Sequence, residues 1–418
     1  MKNWEKMKLG EVCGFVRGPF GGSLKKNIFK SIGYAVYEQQ HAIYDQFEDV
    51  RYFIDEKKFN EMKRFELYPG DLIMSCSGTM GKIAIVPENV KKGIINQALL
   101  KLSPSKRVSN IFLKLWMQSQ SFQDSLKEYS QGAAIQNVAS VAILKNIEIP
   151  LPPLSEQQRI IAILDEAFAG IAKAKANAEQ NINNAKELFE SYLQSVFENK
   201  GEGWEEKTLG EIADVEYGYT DKSTEGGDYR YIRITDIDKN GELILEEKKY
   251  IKHSKEAEGF LIEENDLLMA RTGATFAKVL LFNGNEPSVF ASYLIRIKFK
   301  GRIENELYWH FTKTKSYWEQ ANRLQSGAAQ PHFNGAAVKQ VIFSYPKAAK
   351  EQKLLIEKFR ALSAETKKLE IIYKQKTNDL EELKKSILQK AFSGSLNYDL
   401  YDSCDSHDGV GKKVSKSL

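Results

Sequence analysis

Short apolar runs bounded by turn residues mark the first part of the chain, and similar runs return in its second half. Brief, strongly apolar segments of this kind predict buried strands. The runs cover residues 34–37, 72–74, 83–86 and 98–102 in the first half, and 231–234, 267–269, 279–282 and 293–297 in the second. One helix is predicted after each series, over residues 111–129 and 307–324.

A different pattern follows each β-rich stretch, with apolar residues spaced alternately by four and three along a polar segment. Sustained over several heptads, this pattern predicts a coiled coil of roughly 65 Å for a helix of about 44 residues. Ser155 and Gln158 predict a capping box at the start of the first helix, directly after Pro152-Pro153. The first series is Leu164, Phe168, Ile171, Ala178, Ile182, Ala185, Phe189, Tyr192 and Val196, with Lys175 as its interruption. The second is Leu355, Phe359, Leu362, Thr366, Leu369, Tyr373, Lys376, Leu380, Leu383 and Ile387. Packing of each helix on its own globular part is the alternative to their pairing.

Both patterns belong to one long internal repeat, which is the first thing to establish when a fold is predicted. The matched segments are 9–11 with 209–211, Asp71 with Asp266, 130–134 with 325–329, 155–157 with 350–352, and 193–197 with 388–392. We therefore predict an α+β fold with two β-rich domains, 1–152 and 200–349, each followed by a long helix, 153–199 and 350–396. Residues 397–418 have no counterpart and are expected to be a flexible tail.

Composition narrows the class of protein. The 418 residues are 42% hydrophobic and 28% charged, so the chain can bury a core. The net charge is only +4, so any basic surface must be local. Cys13, Cys76 and Cys404 lie far apart, which predicts neither disulfides nor a metal site and fits a reducing compartment. Without an 18-residue apolar run or an apolar leader, we expect a cytoplasmic protein with no membrane partner.

Residues Gly78–Lys82 resemble a phosphate-binding loop, yet two of the four defining positions of that motif fail. Cys76 stands where the first glycine should be, and Ile83 stands where the metal-binding hydroxyl should be. The only Pro-Pro pair lacks the flanking residues of an amino-methyltransferase motif. The acidic run 263–266 with Lys278 could be read as a nuclease site, but such a pattern arises by chance in charged chains. We therefore expect no catalytic activity in this chain.

Polar and basic residues recur at matched places around the predicted strands of both halves. Hydroxyl groups and basic residues contact DNA phosphates, while Arg, Asn and Gln read base edges. The surrounding repeat is the same in both halves, whereas these residues differ between them. We therefore predict two surfaces that read different DNA sequences. The first-half candidates are Lys25, Lys26, Gln39, Gln40, His41, Ser75, Ser77, Thr79, Lys82, Gln136 and Asn137. The second-half candidates are Tyr219, Lys222, Arg233, Thr235, Arg271, Thr272, Thr275, Lys278, Gln330, His332 and Asn334.

Four motifs carry a family resemblance. They are the Trp-x(4)-Leu-Gly-Glu openings, Gly-Asp-Leu-Ile with Ser-Gly-Thr-Met-Gly-Lys at 70–82, IPLPPLSEQQRI at 149–160, and SILQKAFSG at 386–394. Over about residues 1–396 the chain resembles the specificity (S) subunit of type I restriction–modification systems. The second half departs from the pattern at 344–347, where Ser-Tyr-Pro-Lys replaces the fuller proline motif.

The resemblance implies that each β-rich part is a target recognition domain for one half of a bipartite, asymmetric DNA site. The two helices would form an antiparallel coiled coil with pseudo-two-fold symmetry and would dock two methyltransferase (M) subunits. Half-sites of two-fold readers lie roughly 34 Å apart, a distance that helices of this length can span. No cofactor is expected on this chain. S-adenosylmethionine, ATP and Mg²⁺ are expected on the partner subunits, with restriction (R) subunits as an optional further partner.

Three alternatives stay open. The chain could serve as the specificity subunit of another DNA-modification or phage-defence complex. It could be a coiled-coil adaptor whose domains bind sugars or proteins rather than DNA. An active enzyme is the third, and it would require one of the motifs that the sequence lacks.

Overall fold

The internal repeat of the sequence is also a repeat of structure. The computed structural model describes residues 4–128, 141–326 and 332–395. The chain divides into unit 1, residues 1–177 and 376–418, and unit 2, residues 178–375. The predicted α+β class is confirmed, because each unit has a β-rich part that is followed along the chain by one long helix.

Within the described residues, each unit contains nine strands. Those of unit 1 are β1 (Glu5–Lys8), β2 (Cys13–Arg17), β3 (Tyr34–Tyr37), β4 (Tyr52–Ile54), β5 (Leu72–Ser75), β6 (Ile83–Ile85), β7 (Gly93–Ile95), β8 (Leu99–Pro104) and β9 (Glu148–Leu151). Those of unit 2 are β10 (Trp204–Thr208), β11 (Ala213–Tyr217), β12 (Tyr229–Ile232), β13 (Tyr250–Ile251), β14 (Leu267–Ala270), β15 (Val279–Leu281), β16 (Ser288–Phe290), β17 (Leu294–Phe299) and β18 (Ile342–Pro346). All eight predicted strands are present, and the weaker apolar runs were missed.

The helices fall at matched places as well. The short ones that precede the first long helix are α1 (Leu9–Val12), α2 (Gln39–Tyr44), α3 (Glu56–Glu61), α4 (Asn110–Gln118), α5 (Gln120–Glu128) and α6 (Val141–Asn146). The long helix α7 spans Leu154–Glu198. Then follow α8 (Leu209–Ile212), α9 (Lys255–Glu258), α10 (Asn305–Phe311), α11 (Lys315–Leu324), α12 (Gly335–Lys339) and the second long helix, α13 (Ala349–Phe392). Short 3-10 turns cover Gly21–Ser23, Lys26–Ile28, Lys63–Phe65, Ile234–Asp236 and Gly273–Thr275.

Each unit builds the same three sheets. In unit 1 these are a four-stranded sheet in the order β2-β8-β5-β6, a three-stranded sheet β4-β3-β7 and a ribbon β1-β9. Unit 2 repeats them as β11-β17-β14-β15, β13-β12-β16 and β10-β18. In both three-stranded sheets one pair is parallel, β3 with β7 and β12 with β16, and every other pairing is antiparallel.

The central strands β5 and β14 explain why the sequence there is continuously apolar. Side chains alternate between the two faces of a strand, and in β5 Leu72 and Met74 join one core cluster while Ile73 joins another. In β14 Leu267 and Leu268 divide in the same way. Because both faces are covered, these strands have no polar side and therefore no period-two pattern.

The single helix predicted after each set of strands is wrong, since each is two helices. In unit 1 the backbone is extended at Ser119, between α4 and α5, with ψ near 152°. In unit 2 Thr314 separates α10 from α11, and its hydroxyl accepts a hydrogen bond from the Tyr317 amide. The break lets both short helices face the core, as the 4.9 Å contact between the rings of Trp116 and Phe122 shows.

The heptad seam predicted for α7 is confirmed. Leu164, Ile171, Ala178 and Ala185 are all buried and lie one heptad apart. Lys175, the predicted interruption, forms an ion pair across the helix pair, with its Nζ 2.6 Å from Oε1 of Glu381.

The seam predicted for α13 is wrong at three of its ten positions. Leu369, Lys376 and Leu383 are exposed, whereas Glu370 and Thr377, each one position after a predicted seam residue, are half-buried. Residues three and four positions further along a helix lie on the same face as the starting residue. The position of the partner helix decides which of the two is buried, whereas the sequence pattern favours leucine over a polar neighbour.

The two long helices run antiparallel where they meet in unit 1. Nζ of Lys384 lies 5.0 Å from the ring of Phe168, and further on Leu388 and Phe392 pack in one cluster with Leu164. In unit 2 the last turns of α7 and the first turns of α13 share a core cluster, with the rings of Tyr192 and Phe359 6.0 Å apart. Each long helix therefore contributes to both units, so the compact units cut across the linear division of the sequence.

A buried glutamine ties the start of each long helix to its β-rich part. Gln157 is fully buried; its Nε2 donates to the carbonyls of Pro152 and Arg107, and its Oε1 accepts from the Ser109 amide. In unit 2 Gln352 does the same with Pro346, Arg302 and Glu304. The repeated Glu-Gln motif of the sequence therefore has a structural reason.

The predicted capping box at Ser155 is wrong in register. Helix α7 begins at Leu154, and the Gln157 amide donates to the Pro153 carbonyl, so Ser155 lies inside the first turn.

Candidate nucleic-acid interface

The turn between β5 and β6, which resembles a phosphate loop in sequence, is a hairpin connection. Gly78 and Gly81 have φ of 63° and 73°, the left-handed region that glycine adopts without strain. Ser75 closes the turn: its hydroxyl donates to the Thr79 carbonyl and accepts from the Lys82 amide. The two glycines are therefore required by the backbone, while Thr79 and Lys82 are exposed at the tip.

Unit 2 closes the equivalent turn, between β14 and β15, with one additional residue. Its left-handed positions are Gly273, with φ of 75°, and Ala277, with φ of 61°. The Tyr317 hydroxyl donates to the Ala277 carbonyl over 2.5 Å and holds the turn on α11. Thr272 is buried and bridged to His332, so its hydroxyl is not presented to solvent, and Lys278 is half-buried.

In each unit this turn contacts the segment that follows the first strand of the three-stranded sheet. The Ser77 hydroxyl donates to Oε1 of Gln39 over 3.1 Å in unit 1. In unit 2 the Thr275 hydroxyl lies 3.5 Å from the Ile234 carbonyl. Two groups of candidates far apart in sequence are therefore brought together, and Gln39, Ser77, Thr79 and Lys82 form what we call the unit 1 edge.

His41 does not belong to this edge. Its ring is fully buried, with Nδ1 accepting from the Glu38 amide at 2.9 Å and Nε2 3.1 Å from the Asp49 carbonyl. Asp236 performs the same task in unit 2, accepting from the Arg233 amide. Both residues stabilise a helical turn. For His41, a DNA-binding candidate of the sequence, this is a structural role.

Arg233 and Gln40 are also engaged within the protein. The Arg233 guanidinium pairs with Asp236, and that hydrogen bond raises the pKa of Arg233 above its ordinary value. Gln40 Nε2 donates to the Asp49 carbonyl over 3.2 Å. Ser75 is fully buried and serves only the turn. Of the candidates in this part of unit 2, Thr235 is exposed.

The lysines early in each half lie elsewhere. Lys25 and Lys26 are exposed in a segment whose apolar residues pack on the β4-β3-β7 sheet. Lys222 is exposed before β12. Tyr219 is half-buried, with its ring 5.5 Å from that of Phe260. No contact recorded among the described residues joins these four to the hairpin turns.

The segment after α11 meets the unit 2 turn. The His332 amide donates to the Ser326 carbonyl, and the next amide, that of Phe333, donates to the Arg271 carbonyl over 2.8 Å. His332 and Asn334 are exposed, and Asn334 also caps α12 through the Ala337 amide. Three further candidates, Gln136, Asn137 and Gln330, lie outside the described residues.

Asp266, in the acidic run before β14, has a structural role. Asp266 accepts from the Glu263 amide and lies 3.3 Å from the buried guanidinium of Arg296, whose other nitrogens bind Glu216. Unit 1 has the same arrangement in Asp71 and the buried Lys101, 3.9 Å apart. These repeated acid–base pairs stabilise the interior of each unit, because a buried charge requires a partner.

The units differ at three places at the end of the four-stranded sheet, and the sequence analysis predicted only one residue there, Arg271. The matched pairs are Arg17 with Tyr217, Cys76 with Arg271, and Ala98 with Tyr293. Equivalent backbone contacts establish the match: Cys76 N donates to Ala98 O over 2.9 Å, and Arg271 N donates to Tyr293 O over 3.1 Å. A comparison of the halves column by column would have found them.

In unit 2 the guanidinium of Arg271 lies over the rings of both tyrosines. The Arg271 guanidinium carbon lies 5.2 Å from the ring centroid of Tyr217 and 5.4 Å from that of Tyr293. The tyrosines are 43% and 54% exposed, and the Tyr217 hydroxyl accepts from the Gly335 amide over 2.8 Å. Tyr217, Arg271, Tyr293, His332 and Asn334 together form what we call the unit 2 edge.

The described residues show neither a metal site nor a membrane span. No group of three or more histidines, cysteines and carboxylates among them is placed to bind a metal ion. Likewise, none of the helices in the described ranges is long and apolar enough to cross a membrane.

Comparisons with known proteins agree with this architecture. The MjaVIII specificity subunit, a type I restriction enzyme subunit of Methanocaldococcus jannaschii, is 22% identical over 421 residues, covering 94% of this chain and 93% of the relative. The StySPI specificity subunit of Salmonella potsdam is 25% identical over 313 residues, covering 71% of this chain and 67% of the relative.

Two solved structures share the fold. The HsdS subunit of Thermoanaerobacter tengcongensis superposes with a TM-score of 0.62 at 18% identity, covering 94% of this chain and 97% of its own. A chain from a structure of the assembly and conformational transition of the type I R-M system gives 0.73 at 18% identity, covering 94% and 98%.

The family model for the type I restriction modification DNA specificity domain matches the chain twice, over residues 1–184 and 201–382. The repeated sheets and the two long helices correspond to that double match. The chain therefore belongs to the family of type I restriction–modification specificity subunits, which recognise DNA sequence.

Proposed function

We propose that this chain reads a bipartite, asymmetric DNA site, with unit 1 recognising one half-site and unit 2 the other. The helices α7 and α13 would set the gap between the half-sites and dock two methyltransferase subunits, with restriction subunits as an optional addition. The chain itself would perform no catalysis. S-adenosylmethionine, ATP and Mg²⁺ would bind to those partners, and the complex would act in the cytoplasm.

One observation carries the proposal: the two units share a frame but differ at their candidate edges. The sheets, the left-handed turns, the buried acid–base pairs and the glutamine ties all recur. The exposed residues at the edges do not recur, since Thr79 and Lys82 lie at one edge and Tyr293 and His332 at the other. Two readers with one frame and different side chains would recognise two different sequences.

The long helices support the role of a spacer. Each begins in one unit and ends in the core of the other, with Phe197 of α7 in the unit 2 core and Phe392 of α13 in the unit 1 core. A helix with both ends anchored in packed cores resists changes in length, because its rise per residue is fixed.

The test is a pair of deletions. One heptad centred on Lys175 and one centred on Glu381 are removed together, because these residues face each other. The variant is expressed with the methyltransferase subunit of its system, and the methylated sites are read by methylome sequencing. We expect a shorter gap and unchanged half-sites. The matched control is the double variant Lys175→Ala, Glu381→Ala, which removes the ion pair but keeps the helix length and should leave the gap unchanged.

Two outcomes would contradict the proposal. If the half-site sequences changed and the gap between them did not, the helices would not be the element that sets the gap. Absence of methylation and of salt-dependent DNA binding in the wild-type complex would favour the adaptor alternative, because DNA binding through phosphate contacts weakens steeply with salt.

A further inference from the structure

Arg271, at the unit 2 edge, differs from other arginines of unit 2 in the groups that its guanidinium contacts. Arg230, Arg233 and Arg296 are each bound to a carboxylate within 4 Å. For Arg271, by contrast, no carboxylate of the described residues forms an ion pair, and its guanidinium lies over the two tyrosine rings. Its charge is therefore not neutralised by the described part of the protein.

The rings restrict the guanidinium in a way that matters for recognition. Arg has several rotatable bonds, and fixing them on binding costs free energy. Contact of the Arg271 guanidinium with two aromatic rings restricts its orientation before a ligand arrives. Tyr217 is itself fixed by the amide of Gly335 at the start of α12. The donors are therefore oriented in advance, which favours a planar acceptor pair over a single rotating oxygen.

Unit 1 has an arginine at the same end of its sheet, but on another strand. Arg17 closes β2, at the position that Tyr217 occupies on β11. Arg17 pairs with Leu100 of β8, and Ala98, just before that strand, accepts a hydrogen bond from the amide of Cys76, the residue that matches Arg271. Both units therefore carry an arginine at this end of the four-stranded sheet, at different positions of the frame.

We propose that Arg271 is a specificity-determining residue through which unit 2 reads a guanine, and that Arg17 is its counterpart in unit 1. The inference rests on the proposed DNA-reading function and deepens it. A guanine presents O6 and N7 as two acceptors in the major groove, and the fork of an arginine matches them with two hydrogen bonds. Exposure of Tyr217 and Tyr293 leaves the edge open to a DNA groove.

The test uses the full chain in complex with its methyltransferase. Binding is measured to duplexes that carry the wild-type site and every single base-pair substitution, for the wild type, Arg271→Gln and Arg271→Ala. We expect the preference for one G·C pair in one half-site to fall by about five- to a hundredfold. All other positions, including the whole of the other half-site, keep their preferences. Arg17→Gln should produce the same loss in the other half-site only.

Controls separate reading from support of the fold. Lys278→Ala, a basic residue of the same turn, should weaken every duplex alike if it binds phosphate. Tyr293→Phe keeps the ring and should keep the preference, whereas Tyr293→Ala should lower it at the position that Arg271 reads. Because Tyr293 is 54% exposed, this pair tests the inference even if the arginine variants do not fold.

The inference is overturned if folded Arg271→Gln discriminates every position within about twofold of the wild type. It is equally overturned if that variant loses affinity uniformly with a shallower salt dependence, which marks a phosphate contact. Failure of the proposed function gives a different result, because then the wild-type complex itself shows no preferred site.

Discussion

Replacing Gln157 by alanine should release the start of α7 from unit 1. The side chain is fully buried and makes three hydrogen bonds, to the carbonyls of Pro152 and Arg107 and from the amide of Ser109, between 2.8 and 3.0 Å. Each such bond contributes about 1 kcal/mol net, and a donor left without an acceptor costs roughly 1–3 kcal/mol more. We therefore expect a loss of about 3–5 kcal/mol in the free energy of unfolding.

The chain supplies a matched control in the next residue. Gln158 is exposed, so Gln158→Ala changes the same residue type without removing a buried contact and should stay within about 0.5 kcal/mol of the wild type. Thermal denaturation followed by circular dichroism compares the two variants. Hydrogen exchange at the Ser109 amide reports the local effect, and protection should fall by about two orders of magnitude in Gln157→Ala.

The reasoning fails if the two variants are equally stable, or if exchange at Ser109 is unchanged. The second unit offers an independent repetition, because Gln352 makes the same three kinds of bond. Gln352→Ala should lower the stability of unit 2 by a similar amount while leaving the Ser109 amide protected.

Three further predictions concern the turn, its lysine and a buried histidine. Gly81→Ala places a Cβ 2.9 Å from a Gln123 oxygen at a φ of 73°, so it should lower the free energy of unfolding, measured with denaturant, by about 1–3 kcal/mol. In the control Gly22→Ala the new Cβ has no atom within 4 Å, and the free energy of unfolding should hardly change. Lys82→Ala should weaken binding to all DNA sequences alike and reduce the slope of log K against log salt by about one, and an unchanged slope would leave the turn a purely structural role. Burial lowers the pKa of His310 below 6.5, so on acidification the unfolded chain binds the proton before the folded chain does, and the free energy of unfolding falls as the pH drops below that value. His310→Leu should flatten this pH dependence in denaturation at about pH 5 to 8. An unaltered profile would assign the dependence to other groups.

Strong local sequence patterns were sufficient to predict the main strands and the first long helix. All eight predicted strands are present because each combines a compact apolar run with flanking turn residues. The missed strand β1, Glu5–Lys8, is mostly polar and carries no apolar run, and it forms a ribbon by pairing with β9. The seam of α7 was predictable because its apolar positions are unambiguous. In α13 leucine and glutamate compete for adjacent positions, and only the partner decides between them.

The candidate site divides in a similar way. The sequence located the two hairpin turns and the segments beside them, and the structure brings several of those residues together. The sequence does not distinguish a polar side chain that faces solvent from one that stabilises a helical turn, as His41 and Arg233 do in the structure. Arg17, Tyr217 and Tyr293 were missed because each is unremarkable in its own segment and acquires meaning only beside a residue from another strand.

By itself, the sequence determined the repeat, the α+β class, the two long helices and the family, because periodicity and repeated motifs are properties of local chain order. Tertiary structure alone decided which exposed groups share an edge, which glutamines hold the helices on the β-rich parts, and that the guanidinium of Arg271 lies over two tyrosine rings. Those outcomes depend on contacts between segments remote in sequence, and no pattern within one segment encodes them. The resemblance of Gly78–Lys82 to a phosphate loop illustrates the point, since the glycines that suggested a nucleotide are required by the backbone of a hairpin.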